Sequence, residues 1–254
     1  MASRDSEFDI RGVVAGAFNT SIRNLIPFLL LSILLVGVPT FVTQYPPAWA
    51  AIGGLRLLGV WSRLAAPWLT MIPFALFGGI ATRVAFNDLT GRGSLFGVAL
   101  MATAVSSVPL ILFSLLNAIA IGFGAVLLLI PGLIAMTRLA VGGAAIVIEG
   151  LGVSGGVRRS LELTREVAWP VFGLLMICGL INYCVLYFGR YALTGALGFR
   201  IDPALLGDLR YTIVLCVDYV VFQTITATGS AAIYIELLRL QQGGDQQQVA
   251  EVFS

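Results

Sequence analysis

The longest uncharged run of the chain, residues 93–137, limits the folds that are open to it. The run holds 45 residues. As one continuous helix it would be about 68 Å long, whereas a bilayer core is about 30 Å thick. It must therefore cross a membrane twice, with a turn inside the run. The Asn and Gly residues of Asn117–Gly124 predict the turn there, which gives membrane spans at about 97–116 and 119–137.

Composition and four further apolar runs extend this interpretation to the whole chain. Charged residues make up 11% and hydrophobic residues 58% of the 254 residues, whereas soluble domains carry about 25% charged residues. The further spans are predicted at 25–43, 64–82, 168–189 and 211–235. We therefore expect an all-α, polytopic bundle of about six spans in one transmembrane domain, residues 1–240. A polar, solvent-facing tail at 241–254 follows it.

Charged residues between the apolar runs predict the connections. Residues 83–92 are expected to form a polar loop, and residues 193–210 a long connection. Between 139 and 168 we expect a glycine-rich elbow and then a short charged helix with Ser154 as its N-cap. Arg158 and Glu162 are four residues apart, so they are expected to form a surface ion pair.

The distribution of arginine predicts the orientation in the membrane. Six spans place both termini on one side. That side carries ten arginines, at positions 4, 11, 23, 83, 92, 138, 158, 159, 165 and 239, and the other side carries five, at positions 56, 63, 190, 200 and 210. The positive-inside rule therefore predicts that both termini are cytoplasmic.

The basic residues and the N-terminus predict the location. All 15 basic residues are Arg, which is typical of GC-rich bacterial genomes. The mixed-charge N-terminus does not resemble a signal peptide, so the first apolar run is expected to remain as a span. We therefore expect a multi-pass protein of a bacterial inner membrane.

Amphipathic stretches precede three of the apolar runs. Residues 9–24 have apolar residues at three- and four-residue steps, which predicts a helix lying at the membrane interface; the alternative is a cytosolic extension of the first span. Residues 12–35, 95–118 and 153–178 share the order amphipathic helix, proline, span, with Pro27, Pro109 and Pro170 at the junctions. This pattern predicts a three-fold internal repeat.

The residue inventory argues against most catalytic chemistry. The chain has no His, and its three Cys lie inside apolar runs without a CxxC pair. No phosphate-binding loop, nucleophile elbow or zinc-protease motif is present. We therefore expect no enzyme activity, no cofactor and no metal, and the net charge of +2 predicts no nucleic-acid partner.

The sharpest single candidate is Asp218, in the predicted sixth span. A carboxylate inside a membrane is costly unless it is paired or hydrated, so it is treated as functional by default. Gln223 and Thr226 extend the polar positions along the same span. The alternative is that Asp218 lies near the outer interface or pairs with Arg190 or Arg210.

A second group of candidates lies on the charged helix. Arg158, Arg159 and Arg165 are candidates for contact with anionic lipid or a protein partner. Glu162 and Glu166 lie between them, so the alternative is an ordinary solvated helix face. Ser160 is interpreted as a packing or capping residue.

The region 127–177 resembles a known family. Its distinctive elements are Pro131-Gly132, Glu149-Gly150, Arg159-Ser160 and Leu163-Thr164. Together with FDIRGVVAGAF near the start and AAIYIELLRL near the end, they resemble the membrane domain attached to some glycerophosphoryl diester phosphodiesterases and related stand-alone membrane proteins. The resemblance implies a membrane domain without assigned chemistry. The phosphodiesterase activity of that family lies in a separate soluble domain that uses His, carboxylates and a metal.

These observations favour a non-enzymatic membrane protein. The expected role is that of a scaffold, accessory or assembly subunit, with membrane lipids and other membrane proteins or further copies of the chain as partners. The alternative is a small transporter or lipid-handling protein that uses Asp218 and the polar positions of the last span.

Overall fold

The computed structural model describes residues 8–44, 58–93, 96–127, 129–196 and 209–252, and these form helices and turns without a strand. Most of the predicted connection 193–210 lies outside the described residues. In chain order the helices are α1 (Ile10–Arg23), α2 (Leu25–Gln44), α3 (Leu58–Leu89), α4 (Phe96–Val105), α5 (Ser107–Leu127), α6 (Leu129–Arg138), α7 (Gly142–Glu149), α8 (Val153–Leu163), α9 (Ala168–Ala196) and α10 (Leu209–Val252).

Several of these helices are long and apolar enough to cross a membrane. By length and composition the described residues provide four: Leu25–Gln44, Ser107–Gly124, Ile130–Glu149 and Thr212–Gln242. A fifth arises if α8 and the first part of α9, which meet at a bend of 105°, form one broken span. Large apolar side chains on these helices face outward, as at Leu30 and Val126. The predicted all-α class with several apolar helices is thus confirmed.

The turn of the long uncharged run lies later than predicted. Helix α5 continues through Asn117–Gly124, so the prediction of a turn there is wrong, and α6 begins at Leu129. The two helices meet at Gly124 and Gly132, where a Cβ added to Gly124 would lie 2.6 Å from the Gly132 Cα atom. Backbone contact between two glycines therefore determines where the hairpin closes.

The predicted loop at 83–92 is helical over most of its length. Helix α3 continues to Leu89, because its charged side chains have partners within the bundle: Arg83 bonds to α7 and Asp88 bonds to α1. The turn is confined to the following residues, where Gly91 and Gly93 have φ values of 71° and 73°. Glycine adopts this left-handed conformation without a Cβ clash.

The elbow also differs from its prediction. The chain resumes a helix, α7, after Arg138 and reverses at Gly150, whose φ is 70°. Helix α8 begins at Val153 with Gly152 at its N-cap, so the prediction of Ser154 as the cap is wrong. Close packing explains this start, because Gly156 lies against Ile146 with no room for a Cβ. The predicted pair of Arg158 and Glu162 is confirmed, with 3.5 Å between Nε and Oε1.

Helix α10 lies at the centre of the packing. Its Val220 and Ala227 pack in a cluster with Phe28 of α2 and Phe77 of α3. Further along, Tyr234 and neighbouring residues pack with residues of α1, α7, α8 and α9. The helix continues to Val252, so the predicted polar tail is helical through that residue.

Three pairs of consecutive helices share one local feature. The second helix of each pair, α2, α5 or α9, carries proline at its third residue: Pro27, Pro109 and Pro170. Proline in the first turn loses no helical hydrogen bond, since those N–H groups have no partner within the helix.

The Gly124 contact predicts a specific sensitivity. We expect Gly124→Ala to lower the free energy of unfolding by about 1–3 kcal/mol, because the new methyl group meets backbone that cannot move aside. Thermal unfolding in detergent measures this. Gly122→Ala is the matched control, since nothing lies within 4 Å of a Cβ at Gly122. Equal melting temperatures for the two variants would contradict the predicted hairpin contact.

Candidate functional site

One end of the bundle collects polar side chains from five helices, and we call this group the polar end. Its centre is Glu149, the last residue of α7. Glu149 Oε1 accepts hydrogen bonds from Arg159 Nε of α8, at 3.0 Å, and from the Tyr234 hydroxyl of α10. Tyr234 is completely buried, while the Glu149 side chain is 30% exposed. A single carboxylate therefore joins three helices at the edge of the core.

The charge of Arg159 is well supported in this setting. Burial lowers the pKa of its guanidinium, but the hydrogen bond and the negative charge of Glu149 together outweigh burial, so the pKa lies above its ordinary value. Arg159 belongs to α8, which is outside the four apolar helices. Arg159 therefore keeps its positive charge beside Glu149.

Side chains also satisfy the helix ends beside this centre. Arg83 Nη1 donates to the carbonyl oxygens of Val147 and Ile148, at 3.0 and 2.9 Å, in the last turn of α7. Ser160 Oγ donates to the carbonyl oxygen of Arg138, at 2.7 Å, at the end of α6. The last carbonyls of a helix have no partner within it and carry partial negative charge. The interpretation of Ser160 as a capping residue is thus confirmed.

The N-terminal helix is attached to the same end. Glu236 of α10 accepts from the backbone N–H of Asp9, at 2.9 Å, and from Arg239, at 2.8 Å. Asp88 of α3 accepts from Thr20 and pairs with Arg23 at 3.3 Å. Helix α1 is thereby held against α3 and α10 by bonds at both of its ends.

The structure separates the three candidates of the last span. Asp218 and Gln223 are half-buried in α10, and Asp218 interacts with another group. At 100° per residue Gln223 lies about 140° around the helix from Asp218, so the two do not share one face. Thr226 is exposed and donates to the Phe222 carbonyl of its own helix. The side chains of Arg190 and Arg210, the alternative partners of Asp218, lie outside the described residues.

The three arginines of the second group have different environments. Arg158 is 82% exposed and pairs with Glu162, while Arg159 is 22% exposed and pairs with Glu149. Arg165 is exposed just beyond the end of α8. Only Arg159 of these belongs to the polar end.

Sequence reasoning did not identify Glu149 and Tyr234 as a pair. Glu149-Gly150 and Arg159-Ser160 were among the motif elements, and the structure shows that they contact each other. Tyr234 lies 85 residues after Glu149 in the chain. Nothing in the sequence around Tyr234 distinguishes it from an aromatic residue at the membrane interface.

The polar end is suited to holding helices together. Its carboxylates each accept from two donors, and in the described part of the chain no three His, Cys, Asp or Glu residues are grouped to hold a metal ion. The geometry thus defines a polar surface formed by α1, α3, α7, α8 and α10, with hydrogen bonds between the helices.

The shared carboxylate predicts coupling between two helices. We expect Glu149→Gln and Tyr234→Phe each to lower the free energy of unfolding by about 1–3 kcal/mol, because the first removes the negative charge from the acceptor of two hydrogen bonds and the second removes one of those bonds. The double variant should lose less than the sum, as both act on one interaction. Thermal unfolding of the four proteins in detergent measures the coupling. Tyr219→Phe, at a 37% exposed tyrosine of the same helix, is the control, and full additivity would disprove the coupling.

Comparison with known proteins found a match to one family model. A family model described as a domain of unknown function (DUF7847) matches residues 69–237. That range runs from α3 to the end of the apolar part of α10, so it includes Glu149, Arg159 and Tyr234. No curated protein and no solved structure matches the chain.

Proposed function

The chain belongs to the DUF7847 family, and we propose that it is a non-enzymatic integral membrane protein serving as a scaffold, accessory or assembly subunit of a membrane complex. The observation that carries this proposal is the packing of helix α8. Its inner side chains are held tightly by the bundle, while its outer side chains face away from it.

The inner face of α8 packs against α5, α7 and α10, and it is bonded to the end of α6. Gly156, Ser160 and Leu163 are buried there, and Thr164 follows with its hydroxyl bonded to Ser160 and facing the Arg138 carbonyl. Together with the Arg159–Glu149 pair, these contacts anchor the helix to the bundle at several points along its length. A surface that is rigid before binding loses little conformational entropy when a partner docks.

The outer face of α8 combines an apolar centre with charges of both signs. Leu161 is 41% exposed between the Arg158–Glu162 pair and the exposed Arg165 and Glu166. An apolar residue surrounded by polar ones is the usual composition of a non-obligate protein interface. This arrangement favours a protein partner on that face.

The proposed setting is a bacterial inner membrane with six spans and both termini in the cytoplasm. The stretch 64–82 of α3, uncharged between Arg63 and Arg83, is the second of these six spans in chain order. We further propose a three-fold repeat of the units α1–α2, α4–α5 and α8–α9, supported by their common proline position. We also propose that this chain is related to the membrane domain attached to some glycerophosphoryl diester phosphodiesterases.

Leu161→Glu tests the scaffold role. We expect tagged wild-type protein, purified from its native membrane in detergent, to retain a defined second polypeptide in fixed ratio, and Leu161→Glu to lose it. The exposed position means that the variant should keep the wild-type melting temperature.

Asn19→Glu is the matched control for this experiment. It adds the same charge at an exposed position of α1, and it should keep the partner. A wild-type protein that purifies alone, or equal loss from both variants, would refute the proposal.

A second candidate function, transport or lipid handling, is favoured by one observation. Asp218 is a half-buried carboxylate within an apolar helix, a setting in which ionisable residues commonly mark transport paths.

Asp218→Asn tests this candidate. If it is correct, the substitution should reduce uptake or alter lipid distribution at least about tenfold in cells. Thr226→Ala is the control, since Thr226 is exposed and bonded within its own helix. Unchanged transport and lipid distribution in Asp218→Asn would eliminate this function.

A further inference from the structure

The junction of α6, α8 and α9 contains a cation whose bonding is incomplete. Arg138, the last residue of α6, has its Nη1 atom buried and without a hydrogen-bond partner. Buried polar atoms are nearly always bonded, and a charged one left unpaired is costly. No carboxylate pairs with Arg138 anywhere in the described residues. One guanidinium nitrogen of Arg138 therefore lacks an acceptor.

The end of α8 meets the Arg138 end of α6, and a second arginine follows it in the chain. Ser160 and Thr164 both direct their hydroxyls to the Arg138 carbonyl oxygen, at 2.7 and 3.5 Å. Arg165 is the next residue, and it is exposed without an ion pair within the described residues. Glu166, the residue after Arg165, is also exposed and forms no ion pair within the described residues.

The other arginines of α8 are already neutralised. Arg158 pairs with Glu162 and Arg159 with Glu149. The positive charge available to a ligand is therefore concentrated at Arg138 and Arg165, at the point where the chain turns by 105° into α9.

An aromatic residue and an apolar surface adjoin this charge. Trp169 is 81% exposed in the first turn of α9, with its ring edge-on to Phe172 at 6.0 Å. Exposed tryptophan is typical of the headgroup level of a membrane. Beyond it, Ile177 and Leu180 of α9 are 52% and 63% exposed. Charge, tryptophan and apolar side chains follow one another in the order of a phospholipid's headgroup, interface and acyl chains.

We propose that this junction binds an anionic phospholipid, with Arg138 and Arg165 on the phosphate. Guanidinium groups donate paired hydrogen bonds that match phosphate oxygens. Trp169 lies at the headgroup, and the outer face of α9 receives the acyl chains. Free phosphate would bond to the arginines but would not contact the exposed apolar side chains of α9. A phospholipid would contact both, so it is the proposed ligand. The site shares Arg165 with the edge of the proposed protein interface, but it does not use Leu161, on which the scaffold role depends.

The test uses the full chain in detergent and follows its melting temperature. Phosphatidylglycerol should raise the melting temperature of the wild-type protein in a saturable way, because a ligand that binds only the folded state stabilises it. Phosphatidylcholine and inorganic phosphate should each give little shift. The variant Arg138→Gln/Arg165→Gln should need at least about tenfold more phosphatidylglycerol for the same shift.

Arg158→Gln is the matched control, since it removes an equally positive but paired side chain and should respond as wild type does. Arg165→Gln alone covers the case in which Arg138→Gln impairs folding, and it should also weaken the response. Equal shifts from both lipids, a full shift from inorganic phosphate alone, or an unchanged response of Arg165→Gln would overturn the proposal.

Discussion

The sharing of one carboxylate by Arg159 and Tyr234 organises the polar end of this protein. Glu149 ends a short helix, and its two donors come from the charged helix α8 and the long helix α10. The contact lies at the edge of the core, where hydrogen bonds are electrostatically stronger than in water and unpaired groups are costly. The direction of α8, and with it the position of every exposed charge on that helix, follows from this contact.

Besides the polar contacts, small residues allow the helices to pack closely. Gly156 lets α8 approach Ile146, and Gly124 lets α5 touch α6 through the backbone. Between apolar helices in a membrane the hydrophobic effect gives little attraction, so association depends on close packing and on hydrogen bonds between helices. Both kinds of contact occur here, and they meet at α7, which is capped by Arg83 and packed by Gly156.

The sequence predicted the helices better than their ends. Apolar runs and amphipathic steps identified α1, α2 and the start of α9 closely, because both patterns are local. It misplaced the hairpin turn, the end of α3 and the start of α8, because contacts between distant residues determine those positions. Among the candidate residues, Arg159 was identified as a charged surface residue. Its hydrogen bond at the edge of the core depends on Glu149, which also bonds to Tyr234.

Sequence alone determined that this chain is helical and contains apolar helices suited to a membrane, since only internally bonded backbone is stable in lipid. It also determined which residues carry charge. Tertiary structure decided which of those charges are paired: Glu149 neutralises Arg159, Glu162 neutralises Arg158, and Arg138 lacks a carboxylate partner within the described residues. The physical reason is distance, because an ion pair forms only where folding brings two side chains within a few ångströms.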